Sequence, residues 1–252
     1  MTGGADAAAN ELAARRAELS HNLLALRTRI AAACEAAGRA ADAVTLIAIT
    51  KTFPASDIRL LAGLGVTEVG ENRDQEAAPK ATQCADLPLR WHFVGQLQVN
   101  KCASVVRYAD VVHSVDRPRL VAALGRRARA AGRTVTCLVQ VNLDPAVQGA
   151  PDDGEAHRGG ALPADVLGLA GAIAAEGGLE LGGVMAVAPL GLPARPAFRR
   201  LAGVAAEVRS AHPGAIMISA GMTGDLEEAI AEGATHVRVG TALLGGRRAF
   251  VR

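Results

Sequence analysis

Lys51 follows directly on the short apolar run Val44-Thr-Leu-Ile-Ala-Ile-Thr50 and is succeeded by Thr52-Phe53-Pro54. The run is β-branched and brief, as a buried strand should be. A lysine at its end sits where the chain leaves the core. There a partly desolvated amine would reach its neutral, nucleophilic form more easily, the setting for a Schiff base with an aldehyde. The plainer role for such a residue is snorkelling at a strand end. A second group carries different chemistry. Ser219-Ala-Gly-Met-Thr-Gly-Asp225 is a small glycine-rich turn leading into a helix, and Gly240-Thr241 follows another strand-like run. Backbone N–H groups in such turns can face an anion. The competing roles are a helix cap by Thr223 or Asp225, and close packing at Gly240. Arg238 lies inside an apolar run and needs a partner, either a carboxylate such as Glu71 or a ligand's phosphate or ring nitrogen.

These residues need a scaffold that brings strand ends together. After an Ala/Arg/Glu/Leu-rich helical segment over about 10–37, with Leu12, Leu19, Leu23, Leu26 and Ile30 near one face and Gly38 as a stop, the chain alternates. Strand-like runs are Val44–Thr50, Glu68–Gly70, Arg90–Val94, Val111–Val115, Thr134–Val141, Leu179–Val187, Ala215–Ser219 and Thr235–Val239. Helical stretches between them include Ala55–Leu64, Pro118–Ala131, Pro163–Ala175, Ala194–Ser210 and Gly224–Ala231. Eight strands alternating with helices predict a single α/β domain over residues 1–252, a (β/α)8 barrel with an extra N-terminal helix. An open doubly wound sheet is the alternative, weakened by the lack of GxGxxG after the first strand. The Asp144–Gly160 stretch, rich in Gly, Pro, Ala and Asp, reads as a long loop at the barrel mouth. In such a barrel chemistry sits at the C-terminal strand ends. Lys51, Gly70-Glu71-Asn72, Trp91-His92-Phe93-Val94-Gly95, His113-Ser114, Gln140-Val141-Asn142, Met185-Ala186, Ser219–Thr223 and Arg238–Thr241 all fall there.

Composition narrows the function classes. A net charge of +2, one Trp, one Tyr and four Phe offer no basic stacking platform for nucleic acid. Four scattered cysteines form no metal-ligand pair and fit free thiols in a reducing compartment. No apolar stretch is long enough to span a bilayer, and the polar start of the chain is no signal peptide, so a soluble cytoplasmic protein is expected. An amine on the first strand, a phosphate cradle after the seventh and eighth, and space for a ring between them describe pyridoxal 5′-phosphate held as a Schiff base on Lys51.

The chain resembles the pyridoxal phosphate homeostasis proteins, single-domain relatives of the alanine racemase barrel. The matching motifs are Ile49-Thr-Lys51-Thr, Gly70-Glu-Asn-x-x-Gln-Glu76, Trp91-His-Phe-Val-Gly-x-Leu-Gln-x-Asn-Lys101, Val112-His-Ser-Val-Asp116, Met185-Ala, Ser219-Ala-Gly-Met and Val237-Arg-Val-Gly-Thr-Ala-Leu-Leu-Gly245. They run in order over nearly the whole chain. The resemblance implies a barrel that carries, buffers or hands over pyridoxal phosphate bound covalently through Lys51, without a metabolic reaction of its own. It implies cofactor contacts at Asn72, Met185, Ser219, Gly221, Met222, Arg238, Gly240 and Thr241, with Asn72 near the ring and the glycine turns at the phosphate. Arg238 is left facing either the pyridine nitrogen or the phosphate. The expected partners are the cofactor and apo-enzymes that receive it, the expected state a monomer. Departures are Thr50 for Ser, Phe53 for a polar or basic residue, and Ala220 and Thr223 in the phosphate turn.

Two enzymatic alternatives stand beside the carrier, the first an amino-acid racemase or decarboxylase on the same barrel. A racemase needs a second acid/base group opposite the lysine. The racemases that resemble this barrel take a tyrosine from a second domain. This chain offers Tyr108, expected at the wrong end of the barrel, and His92 or His113. A lysine-dependent aldolase would use Lys51 without a cofactor.

Overall fold

The computed structural model describes residues 3–144 and 159–246; the stretch 145–158, within the predicted Asp144–Gly160 loop, lies outside the described residues. Eight parallel strands close in sequence order: β1 Thr45–Ile49, β2 Glu68–Glu71, β3 Arg90–Phe93, β4 Val111–Val115, β5 Val135–Gln140, β6 Leu179–Met185, β7 Met217–Ser219 and β8 His236–Val239. β1 pairs with β2 on one side (Ile49 opposite Gly70) and with β8 on the other (Ala48 opposite Val239). The open-sheet alternative is thereby excluded. Helices wrap the outside: α1 Gly3–Ala36, α2 Ala55–Gly63, α3 Asp74–Gln83, α4 Cys102–Val105, α5 Pro118–Ala130, α6 Val166–Ala175, α7 Ala194–Ala211, α8 Leu226–Ala231 and α9 Thr241–Leu244.

Element ends shift where turns claim backbone groups. The strand expected from Ala215 begins at Met217, because the amides of Ala215 and Ile216 bond back to His212 and Gly214 in the preceding turn. The helix expected from Pro163 opens with a 3-10 turn over Pro163–Asp165, and the one expected from Gly224 begins at Leu226. α1 ends as predicted, with Gly38 at φ +66° and a bond from the Arg39 amide to the Cys34 carbonyl.

The apolar stripe of α1 is buried at Leu19, Leu23, Leu26 and Ile30, packed with Leu61, Leu226, Ile230, Leu243 and Leu244 of α2, α8 and α9. Leu12 is a correction to that stripe. It is 52 % exposed, because the barrel contacts of α1 begin one turn later at Arg15. The Arg15 guanidinium donates to Asp57 on α2 and to the Leu244 carbonyl, and Asn22 donates to the Leu243 carbonyl. α1 thus fastens the β8–α9 corner, where part of the predicted site lies. The four cysteines are free and buried. Among the described residues no helix is long and apolar enough to cross a membrane, and no group of side chains has the makings of a metal site.

Candidate functional site

Lys51 stands two residues past the end of the β1 ladder. The ladder register, continued by the Thr50 amide bonding to the Gly70 carbonyl, sets Lys51 level with Asn72. Both residues are exposed. The expectation of a partly desolvated amine is therefore corrected: Lys51 has left the ladder for an open turn, where its side chain is exposed.

The turn itself is held from below. Glu71, fully buried at the end of β2, accepts from the Thr50 hydroxyl at 2.7 Å and from the Lys80 ammonium at 2.7 Å. Lys80 also donates to the Thr50 carbonyl at 2.9 Å. Burial pushes the Glu71 carboxyl up, against the opposing pull of Lys80 and Thr50. On the other side of Lys51, Thr52 adopts φ 68°, a left-handed conformation costly for a β-branched residue. Its amide is held by Glu76 Oε2 at 2.9 Å. α3 therefore supplies both clamps on the Lys51 turn. The sequence reading missed Lys80. Its one available signal was spacing: with Asp74 and Ala77 it lies on the buried stripe of α3.

The glycine turns line the neighbouring β7 and β8 ends. Gly221 has φ +90°, and a Cβ there would lie 2.7 Å from the Ala229 methyl. The Met222 amide is already used, donating to Asp225 Oδ1 at 2.6 Å, so Asp225 closes the turn instead of capping α8. A Cβ on Gly240 would come 3.2 Å from the Ile49 carbonyl. Gly240 thus lets β8 end tightly against β1, two residues before Lys51. Thr241 and Met222 are exposed beside these turns. Met185 is buried in a small interior cluster with Val111, Leu138 and Met217, so it forms floor and not rim.

Arg238 points into the barrel. It donates to Ser219 Oγ at 2.6 Å and to the Ala186 carbonyl at 2.9 Å. Its pairing with Glu71, one of the two expectations, does not occur: Glu71 turns instead to Lys80 on α3 and to the Thr50 hydroxyl. Burial lowers the Arg238 guanidinium to about 10, partly opposed by Asp225, which leaves it cationic at neutral pH. Ser219 is likewise fully buried and continues inward. His113 Nδ1 lies 3.0 Å from its Oγ, His113 Nε2 lies 2.8 Å from His92 Nδ1, and His92 Nε2 lies 2.5 Å from Glu68 Oε2. Burial holds His92 low and His113 well below the ordinary histidine value; for His113 the charges of His92 and Arg238 add to this. Burial works to raise Glu68, but its bond to His92 brings the carboxyl below its usual range. Both histidines, candidate bases by sequence, are engaged inside the barrel. The Tyr108 hydroxyl donates to Asp74 on α3 at 3.4 Å, and its ring meets the Trp91 edge, so it is taken up between the wall and its helices.

The structure thus gathers Lys51 and Asn72 at one side of the mouth, and Gly221, Met222, Gly240 and Thr241 at the adjoining side. Arg238, Ser219 and Met185 lie beneath. Residues 16–248 match the family described as the alanine racemase N-terminal domain. The pyridoxal phosphate homeostasis protein of Mycobacterium tuberculosis strain H37Rv is 43% identical over 253 residues, covering 93% of this chain and 95% of that one. The structure of PipY from Synechococcus elongatus PCC7942 with PLP bound is 34% identical with a TM-score of 0.77, covering 90% of this chain and all (100%) of that one. Alanine racemase from Corynebacterium glutamicum shares the fold, at 16% identity and a TM-score of 0.63, over 93% of this chain and 62% of its own.

Proposed function

Because this chain belongs to the pyridoxal phosphate homeostasis protein family, built on the alanine racemase N-terminal barrel, we propose that it binds pyridoxal 5′-phosphate at the mouth and holds it covalently through Lys51. The observation that carries this reading is the meeting of β1 and β8. An exposed primary amine and two glycine turns able to approach an anion stand on adjoining strand ends. When bound, the cofactor supplies an aldehyde reactive towards primary amines, conjugated to a pyridine ring.

The residues present fit that group. Lys51 offers the amine on a turn clamped by α3. Gly221, Met222, Gly240 and Thr241 would take the phosphate, with the Met222 amide the exception, already spent on Asp225. Asn72 would flank the ring. Arg238, a cation that among the described residues bonds only a hydroxyl and a carbonyl, would meet the ring nitrogen or the phosphate without surrendering a proton. Ser219 would act by holding Arg238, and Met185 as floor.

Carriage and buffering of the cofactor, with delivery to apo-enzymes by a monomer in the cytoplasm, follow from this reading. A racemase reading is less supported, since His92, His113 and Tyr108 are each bonded away from the Lys51 turn. One experiment separates the readings. Protein incubated with pyridoxal phosphate should turn yellow, and borohydride should fix the added mass on Lys51. Alanine isomers should not interconvert at ordinary enzymatic rates of about 1–1000 per second. A preparation that stays colourless with excess cofactor would favour the cofactor-free aldolase, and rapid racemisation would make the protein an enzyme.

A further inference from the structure

The polar chain through the barrel interior ends in groups of opposite and fixed character. Arg238 can only donate hydrogen bonds, and ionised Glu68 can only accept. Between them Ser219, His113 and His92 can each do either. Starting from Glu68, the contact at 2.5 Å requires the proton on His92 Nε2. A neutral His92 then has a lone pair on Nδ1, so His113 Nε2–H donates across 2.8 Å. That leaves a lone pair on His113 Nδ1, which takes the Ser219 proton across 3.0 Å. Ser219 Oγ is free to accept from Arg238 at 2.6 Å. Four contacts use four protons, with every donor pointing from β8 towards β2.

We propose that Ser219, His113, His92 and Glu68 form a one-directional hydrogen-bond relay that fixes the Arg238 guanidinium beneath the mouth, which makes Glu68 a remote positioning residue for the site. The burial of His92, His113 and Ser219 supports this, because an unmatched polar contact there has no water to repair it. Direction is what a merely structural cluster would not need. It is set at the Glu68 end, on the first residue of β2, and read at Arg238 on β8.

A donor in place of Glu68 should reverse the relay. In Glu68→Lys the ammonium must donate to His92 Nε2. His92 then donates from Nδ1 to His113, and His113 from Nδ1 to Ser219. Ser219 receives two donors and turns its own proton away from His113. Glu68→Gln offers both an acceptor and a donor, so it permits either direction and removes the bias that the carboxylate sets.

The test is long-range 1H–15N correlation of the histidine rings in ligand-free protein near neutral pH. His92 and His113 should both be single Nε2–H tautomers in the unsubstituted protein. Both should be Nδ1–H in Glu68→Lys. An Nδ1–H or mixed tautomer at His113 in the unsubstituted protein would overturn the relay, and that spectrum needs no variant to fold. The effect on the site rests on the cofactor reading above. With pyridoxal phosphate added, the absorption band should move in Glu68→Lys. An unmoved band in a variant with reversed tautomers would show that the relay does not reach the mouth. Failure of the unsubstituted protein to bind the cofactor would sink the function proposed above while leaving the tautomer result standing.

Discussion

The Lys80 ammonium donates to the main-chain carbonyl of Thr50 at 2.9 Å, one residue before Lys51. The same nitrogen pairs with fully buried Glu71 at 2.7 Å, and Glu71 Oε2 has no partner among the described residues. A buried carboxylate already half satisfied depends heavily on its one cation. Lys80→Met should therefore destabilise the protein by about 3 kcal/mol, since it strands Glu71. The double variant Lys80→Met/Glu71→Gln should recover a large part of the loss, because the uncompensated charge goes with it. Urea unfolding of the three proteins checks this; equal stability of the single and double variants would contradict it.

Lys51 carries none of this burden. It is exposed and lies beyond the ladder, so Lys51→Ala should change stability by no more than about 0.5 kcal/mol. Borohydride should then fix no cofactor mass, while equilibrium dialysis should still detect weak pyridoxal phosphate binding through the phosphate turns. Loss of the native circular dichroism spectrum would show Lys51 to be structural.

Gly221 combines φ +90° with a Cβ position 2.7 Å from the Ala229 methyl. Gly221→Ala must strain the turn and push α8 outwards. A destabilisation of about 2 kcal/mol is expected. Cofactor affinity should fall along with it, measured by absorbance titration. An unshifted urea midpoint would mean that the turn relaxes freely.

Arg238→Ala removes a buried cation that among the described residues pairs with no carboxylate, although Ser219 Oγ and the Ala186 carbonyl lose a donor. The fold should survive, with a cost of about 1–3 kcal/mol for the unsatisfied acceptors. Cofactor binding should weaken and its absorption band shift. Unchanged affinity and spectrum would remove Arg238 from the site.

Acid should weaken the fold through the interior histidines. His92, His113 and His236 have depressed values in the folded chain, His236 lowered to about 4 chiefly by burial. Glu68 and Asp110 oppose the effect on His92 and Arg90 adds to it; His92, Arg238, His236 and Arg90 all depress His113. Unfolded histidines take up protons from the ordinary value of 6.5 downwards, while the native ones do not. The unfolded state therefore binds more protons, and stability must fall as pH drops below about 6.5, by up to about 1.4 kcal/mol per pH unit for each histidine while it stays neutral in the folded chain, for His236 down to about 4. Glu68, itself depressed, adds a loss in the same direction at lower pH. Urea midpoints that stay level across this range would contradict neutral, buried histidines.

Alternation of β-branched runs with amphipathic segments was enough to read eight strands, their order of appearance and the barrel, because strand and helix periodicity are local properties of the chain. Lys51, Gly221 and Gly240 were legible for the same reason: each marks the end of a run, and run ends converge at one mouth. Leu12 shows the limit, since its helical spacing is right and yet among the described residues it stays 52 % exposed. The partners of the polar residues were decided only by closure. His113 meets Ser219 across 106 positions of sequence, and Glu71 takes Lys80, leaving Arg238 to a hydroxyl and a carbonyl. A buried polar group must find its partner in whatever the folded barrel sets against it, and no local pattern records which group that will be.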